Sequence, residues 1–516
     1  FLTDTVPAGL GYVVGSLTAT AGSVDDSGRP LLRWQGLLSS SPFITVTYQV
    51  TVTGQVTGSI VNQAQLTGAG LAPITLTSAI FTPQSVLTTT QTDFFLPGTQ
   101  PGGLAAEIAS PIDCDTCHSA PIYDEWRGTM MSQAGRDPLM WAALFVANAD
   151  APSSGDYCLR CHTAKGWLEG RSHPADGSVL QGEDIAAGVS CVLCHRLVDP
   201  VPSTTDQAVA IDTSIRAALT STVPITHVSS AMMIVDPQDR RRGPFELAST
   251  FPYHSAYHTD FLGQSGDPVT RSRLCGTCHN LDNPALSWDE GRGQYWPSET
   301  DLAASSFEKG QLFPIERTYD EWLNSQYATT GVYAPQFAGD KPDGIVRSCQ
   351  DCHLRRATGA AADEQFNPLP RDCVTTGCLP EHDMTGGNTW TPQLLQDAQW
   401  RLQATGEGGY LDDTVTRAQR MLHQAASLTV TLTTSGTQKI ALARVINQTG
   451  HKLPTGYPEG RRMWLNVRAF DADGNQVYES GVYDWATWDE VVDAVARHHR
   501  QPITVLAESQ RHPKLV

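Results

Sequence analysis

The chain lacks any run of about 18 apolar residues, the minimum for a membrane-spanning helix, so no transmembrane segment is written into it. It lacks an excess of basic residues. Lys and Arg number 35 against 54 Asp and Glu, a net charge of −19. That excludes the basic surface nucleic acid needs, and argues against it as a partner. Lysine is scarce, and arginine supplies most of the positive charge. No charged leader followed by an apolar stretch opens the chain at Phe1, so a signal peptide is expected to have been removed or to lie outside this segment. Residues 1–82 contain neither cysteine nor histidine. The length of 516 residues suggests about two to four domains.

Against these absences stand twelve cysteines. Ten fall into five copies of one pattern: Cys114 and Cys117 with His118, Cys158 and Cys161 with His162, Cys191 and Cys194 with His195, Cys275 and Cys278 with His279, and Cys349 and Cys352 with His353. At this chain's residue frequencies, roughly 0.01 chance matches to C-x-x-C-H are expected. The two thiols of such a motif add to the vinyl groups of a haem, and the adjacent histidine becomes the proximal iron ligand. Zinc ribbons or redox dithiols are the alternatives, but neither explains a histidine after every pair. The motifs therefore predict five covalently bound haem c groups. Covalent attachment of this kind takes place outside the cytoplasmic membrane. The expected location is extracellular or the cell surface, with the periplasm as the other compartment.

The expected fold is multidomain: an N-terminal β-sandwich, a central haem-packed, mostly helical or irregular domain, and a C-terminal β-sandwich. Residues 1–82 read as short alternating strands separated by Gly, Pro and Asp-rich turns. In "ITVTYQVTV", Ile44, Val46, Tyr48, Val50 and Val52 fall on one face and Thr and Gln on the other, as in a half-buried strand. Residues 83–112 are a Thr/Pro/Gly-rich linker. Residues 113–425 hold all five motifs, about 63 residues per haem. A package that small has a radius of gyration on the order of 11 Å, so neighbouring haems must lie close. Helices are expected over 121–150, 391–406 and 410–428. Residues 426–516 return to strands, with a hairpin-type turn at "DADGN". Both ends read as cut: the first sandwich lacks its opening strands, and the last stops on a strand-like run. A sheet edge left open in this way favours pairing with another copy.

Two resemblances sharpen this reading. "TDTVPAGLGYVVGSL" resembles a prokaryotic extracellular repeat domain of Ig-like type found on surface proteins. "YDEWRGTMMSQAGRDPLMWAAL", "GDYCLRCHTAKGWLEGRS", "GVSCVLCHR", "LCGTCHN" and "GHKLPTGYPEGRRMWLNVRAFD" together resemble bacterial and archaeal multihaem cytochromes. That group is distantly similar to hydroxylamine-oxidoreductase-like and tetrahaem electron-carrier proteins. Most of its members are electron carriers, and some multihaem cytochromes polymerise into conducting filaments. The resemblance implies redox proteins or extracellular acceptors as partners, and a homopolymer as one form of assembly.

A haem that only shuttles electrons needs a second axial ligand. The resemblance marks His382 and His451 as distal ligands. His254 and His258, four residues apart, and His423 on a helical segment are further candidates. Cys373 and Cys378 lie outside the five motifs. A sixth haem would need a histidine after Cys378, where Leu379 stands, and no further cysteine remains for zinc. In an oxidising compartment the pair is expected to form a disulfide that stiffens the turn before His382. The function expected is electron relay, with no catalytic residue assigned. The alternative is an oxidoreductase acting on a small nitrogen or sulfur compound at one open haem. No C-x-x-C-K motif, the mark of a nitrite-reductase-type haem, is present to support it.

Overall fold

The computed structural model describes residues 1–37, 44, 46–52, 60–68, 71–80, 88–202, 209–219, 225–245, 257–263, 267–366, 369–396, 408–436, 438–456 and 463–482. Two units emerge: Phe1–Thr88 with Ala149–Ala151, and Thr89–Asn148 with Pro152–Val516.

The first unit is built on an antiparallel sheet. The strand Leu2–Thr5 lies between Leu31–Gln35 and Ile60–Gly68, with Ser23–Asp25 and Leu71–Ile80 at the edges. Two short ribbons accompany it: Leu10–Tyr12 with Val50–Val52, and Thr18–Ala19 with Val46–Thr47. Alternation decides which side chains turn inward. Val46 and Tyr48 pack with Leu10 and Tyr12 on the buried Val6, Leu17 and Leu32. Trp34 is buried and donates its indole N–H to the Ala21 carbonyl at 2.7 Å.

The second unit carries all five motifs. Its first segment, expected as a linker, is packed: Phe94, Leu96 and Ile108 are buried. Burying "DFFL" removes apolar surface that a free connector would leave in water. The helical stretch expected over 121–150 is broken into Asp124–Arg127 and Pro138–Asp150, with shorter turns before and between them. Asp137 turns the chain there, and Pro138 opens the longer helix. The helix Gly408–Ala425 buries Leu411, Thr414, Ala418 and Ala425, a repeat of three, four and seven residues.

Strand pairing after this helix is local. Ala426–Ser435 pairs with Gln438–Asn447, and Val467–Phe470 with Gln476–Ser480 across a turn at Asp471–Gly474. Among the described residues these are two separate two-stranded ribbons. Leu428, Val430 and Leu432, on one face of the first, are exposed. No helix of the described residues is long and apolar enough to cross a membrane.

Candidate functional site

Each motif sits at a short helix or its C-terminal end: Ile112–Asp115, Gly155–His162, Cys191–Arg196, Pro268–Gly276 and Cys349–His353. Helical spacing puts the two cysteines, three residues apart, on one face. The sequence starts three of these helices in recognisable ways. Ser190 and Ser348 precede the first cysteine and accept from the N–H groups of Leu193 and Asp351. Asp267 caps the fourth helix, with Pro268 at its first turn. Asp351, inside the fifth motif, completes a capping box with Ser348.

The motifs cluster out of sequence order. Cysteines of different motifs come close enough to interact: Cys114 with Cys191, Cys161 with Cys278, and Cys275 with Cys349. Cys194 is near enough to Cys275 and Cys278 for their charges to interact. Motif one thus adjoins three, three adjoins four, and four adjoins both two and five. Direct bonds link the last pair: Cys349 N–H donates to Ser272 Oγ at 3.2 Å, and Gln350 donates to the Arg271 carbonyl at 2.6 Å.

Two histidine pairs face each other. The rings of His195 and His382 are 6.3 Å apart, centre to centre, and 14° from parallel. His353 and His451 repeat this at 6.4 Å and 15°. Two metal–nitrogen bonds of about 2 Å plus two ring radii of roughly 1 Å give about 6 Å, so an iron fits between either pair. Tautomer and charge fit as well. Nδ1 of His195 contacts the Arg242 carbonyl at 2.6 Å, and that of His353 the Thr385 carbonyl at 2.6 Å. Nδ1 of His382 lies 3.1 Å from the Pro380 carbonyl, and that of His451 3.0 Å from the Lys452 carbonyl. A proton held on Nδ1 leaves the lone pair on Nε2, where a metal ligand needs it. Loss of hydration, reinforced by the facing ring, pushes His382 down to about 4. Loss of hydration does the same to His353, also to about 4. Both are neutral at neutral pH, as ligation requires. The residues present fit haem c with bis-histidine ligation at these two positions.

The other motif histidines also meet acceptors. His118 Nδ1 contacts the Ala361 carbonyl, and His162 Nδ1 the Ala134 carbonyl at 3.3 Å. His279 differs: its Nδ1 lies 3.7 Å from the Glu316 carboxylate. Among the distal candidates, His258 is on a two-residue strand beside Arg242–Gly243, the backbone that orients His195. His423 is on the exposed side of its helix, and His254 lies outside the described residues.

His382 is held from two sides. Cys373 and Cys378 form a disulfide, S–S 2.12 Å. The next two residues, Leu379–Pro380, pair with Arg356–Ala357, directly after motif five. The turn that follows serves two motifs at once: His382 faces His195, and the Thr385 carbonyl orients His353. Met384 takes a positive φ of 35° between them. The carbonyls of Arg242 and Thr385 carry no sequence signature, because any residue supplies one; Glu316 was equally silent.

Residues 113–196, which hold the first three motifs, match the family model "Cytochrome c554 and c-prime". No curated protein matches the chain. Among solved structures, the chain is similar to a penta-heme cytochrome c552 from Thermochromatium tepidum at 17% identity, with 72% of this chain and 74% of that one covered and a TM-score of 0.36. The family match and the five motifs support a multihaem c-type cytochrome with covalently bound haem c and a redox role.

Proposed function

We propose that this chain relays electrons through five closely spaced haem c groups at the cell surface or beyond it. The facing pairs His195/His382 and His353/His451 carry the proposal, because two imidazoles on one iron leave no position for a substrate. When bound, haem supplies reversible one-electron chemistry at its iron. The chain's part is to hold each group through two thioether cysteines, orient its histidines through backbone carbonyls or, at His279, the Glu316 carboxylate, and keep neighbouring motifs close. The contacts give a path from motif one through three and four to five, with motif two beside four. Redox proteins or extracellular acceptors are the partners of such a path. His258 is a distal candidate near motif three, since it pairs with Gly243, next to the Arg242 carbonyl that His195 meets. His254 and His423 remain candidates for the other irons. The apolar face of the ribbon at Leu428, Val430 and Leu432 favours contact with further copies, and thus a filament.

Intact-mass measurement and ferric EPR of the holoprotein test the reading together. The expected result is five haems, all low-spin. A strong high-spin signal in the native protein would move the assignment to an enzyme with an open haem. Electron microscopy tests assembly: a strictly monomeric native protein removes the filament and leaves the carrier.

A further inference from the structure

We infer that Glu321 positions the His451 loop, and through it the distal side of motif five; this rests on reading His353 and His451 as an axial pair. His451 lies 98 residues beyond His353, on a loop after the ribbon strand Gln438–Asn447. Unlike His382, it is tied to its site by no strand pairing or disulfide among the described residues. Within the loop Asn447 Nδ2 donates to the His451 carbonyl at 2.6 Å, and the tie from the loop to the motifs comes from the helix Thr318–Leu323. Glu321 Oε2 accepts from the Lys452 backbone N–H at 3.0 Å and from Thr455 Oγ at 2.8 Å. Its Oε1 stands 3.8 Å from Lys452 Nζ, on an exposed side chain, so that ion pair adds little. The backbone bond matters more: a carboxylate accepting from an N–H one residue after His451 fixes where the ring points.

Neighbouring contacts serve the same loop. Thr318 Oγ and Thr455 Oγ are 2.8 Å apart, and Tyr327 donates its hydroxyl to the Gln448 carbonyl at 2.5 Å. At Gly450 an added Cβ would lie 2.9 Å from Trp322 and 3.3 Å from Tyr327, so only glycine lets the loop lie this close. Glu321 is the one charged acceptor in this set. The same helix is fixed at its start by motif four, where Tyr319 N–H donates to the His279 carbonyl at 3.0 Å. Glu321 therefore references the distal ligand of one motif to the proximal loop of its neighbour.

The test uses holoprotein carrying Glu321→Ala, Glu321→Gln, Thr455→Val or His451→Gly, with haem load checked by intact mass. Ferric EPR and imidazole titration are the readouts. His451→Gly should turn one haem in five high-spin, and imidazole should return it to low-spin. Glu321→Ala should raise the ligand-off population at that same haem about tenfold, the scale of one lost charge-assisted hydrogen bond. Glu321→Gln, which keeps one carbonyl acceptor, should rescue most of this, and Thr455→Val should show a smaller change in the same direction. In the double variant, Glu321→Ala should add nothing to His451→Gly. If His451→Gly stays low-spin, the axial-pair reading fails. If it turns high-spin while Glu321→Ala matches the parent, the pair stands and the role of Glu321 is wrong. Should Glu321→Ala lose haem, Glu321→Gln and Thr455→Val decide: no change in either overturns the inference.

Discussion

The turn bearing His382 and the loop bearing His451 place their histidines at nearly the same distance from their partners, 6.3 and 6.4 Å, by opposite means. The first is braced by the main chain. It lies 187 residues beyond its partner His195, but is preceded by a disulfide and enters through a strand pair with residues just after motif five. The second lies 98 residues beyond its partner His353 and is held by side chains, Glu321 among them. Equal geometry therefore does not mean equal robustness. A covalently closed turn resists local opening, whereas a hydrogen-bonded loop belongs to the readily opened part of a structure.

The largest expected effect removes the histidines themselves. His382→Ala and His451→Ala should each leave five haems attached and turn one of them high-spin, read by EPR and intact mass; two low-spin variants would dissolve the comparison. Next comes the disulfide. The Cys373→Ser/Cys378→Ser double variant should cost about 2 kcal/mol of stability. Its spin-state change should be largest at the haem of motif three, whose facing histidine the turn carries, and an equal response at motif five would show that the two tethers are not independent. A smaller effect belongs to motif four. Glu316→Gln removes a negative charge 3.7 Å from the proximal imidazole and should raise the potential of one haem. The shift should be on the order of 60 mV or less, a factor of about ten for a one-electron couple, by spectroelectrochemistry. No shift at any haem would show that this carboxylate does not tune the ligand.

The smallest effect concerns acid. Asp372 accepts from Thr375 and Val374 at the start of the disulfide loop, which pushes it down to about 2 from 3.8. A depressed carboxyl stabilises the fold above its unfolded value and loses that contribution as pH falls. Its part should be complete above about pH 4 and vanish towards pH 2, the window set by the two values. Asp372→Asn should flatten the dependence of the loop's amide signals across that window, and an unchanged profile would assign the acid response elsewhere.

The five motifs were legible because covalent haem attachment writes its requirement into five adjacent residues. The strands of the first unit were legible from alternation, as Val46 and Tyr48 in the core illustrate. For residues 83–112, composition registers Thr, Pro and Gly but not the burial of Phe94 and Leu96. Of the C-terminal region, pairing was readable and layering was not: the alternation of Leu428, Val430 and Leu432 identifies an apolar face without naming its cover. The spatial order of the motifs was beyond reach, since it depends on which helices pack together. Glu321 was silent for a related reason. Its role exists only once Lys452 and Thr455 are brought to it from more than 130 residues away.

The clustering of the motifs out of sequence order carries a consequence for failure. Motif four adjoins motifs two, three and five, so the proposed path branches there. Loss of motif four would separate motifs one and three from motif five, whereas loss of motif two would leave the line through one, three, four and five whole.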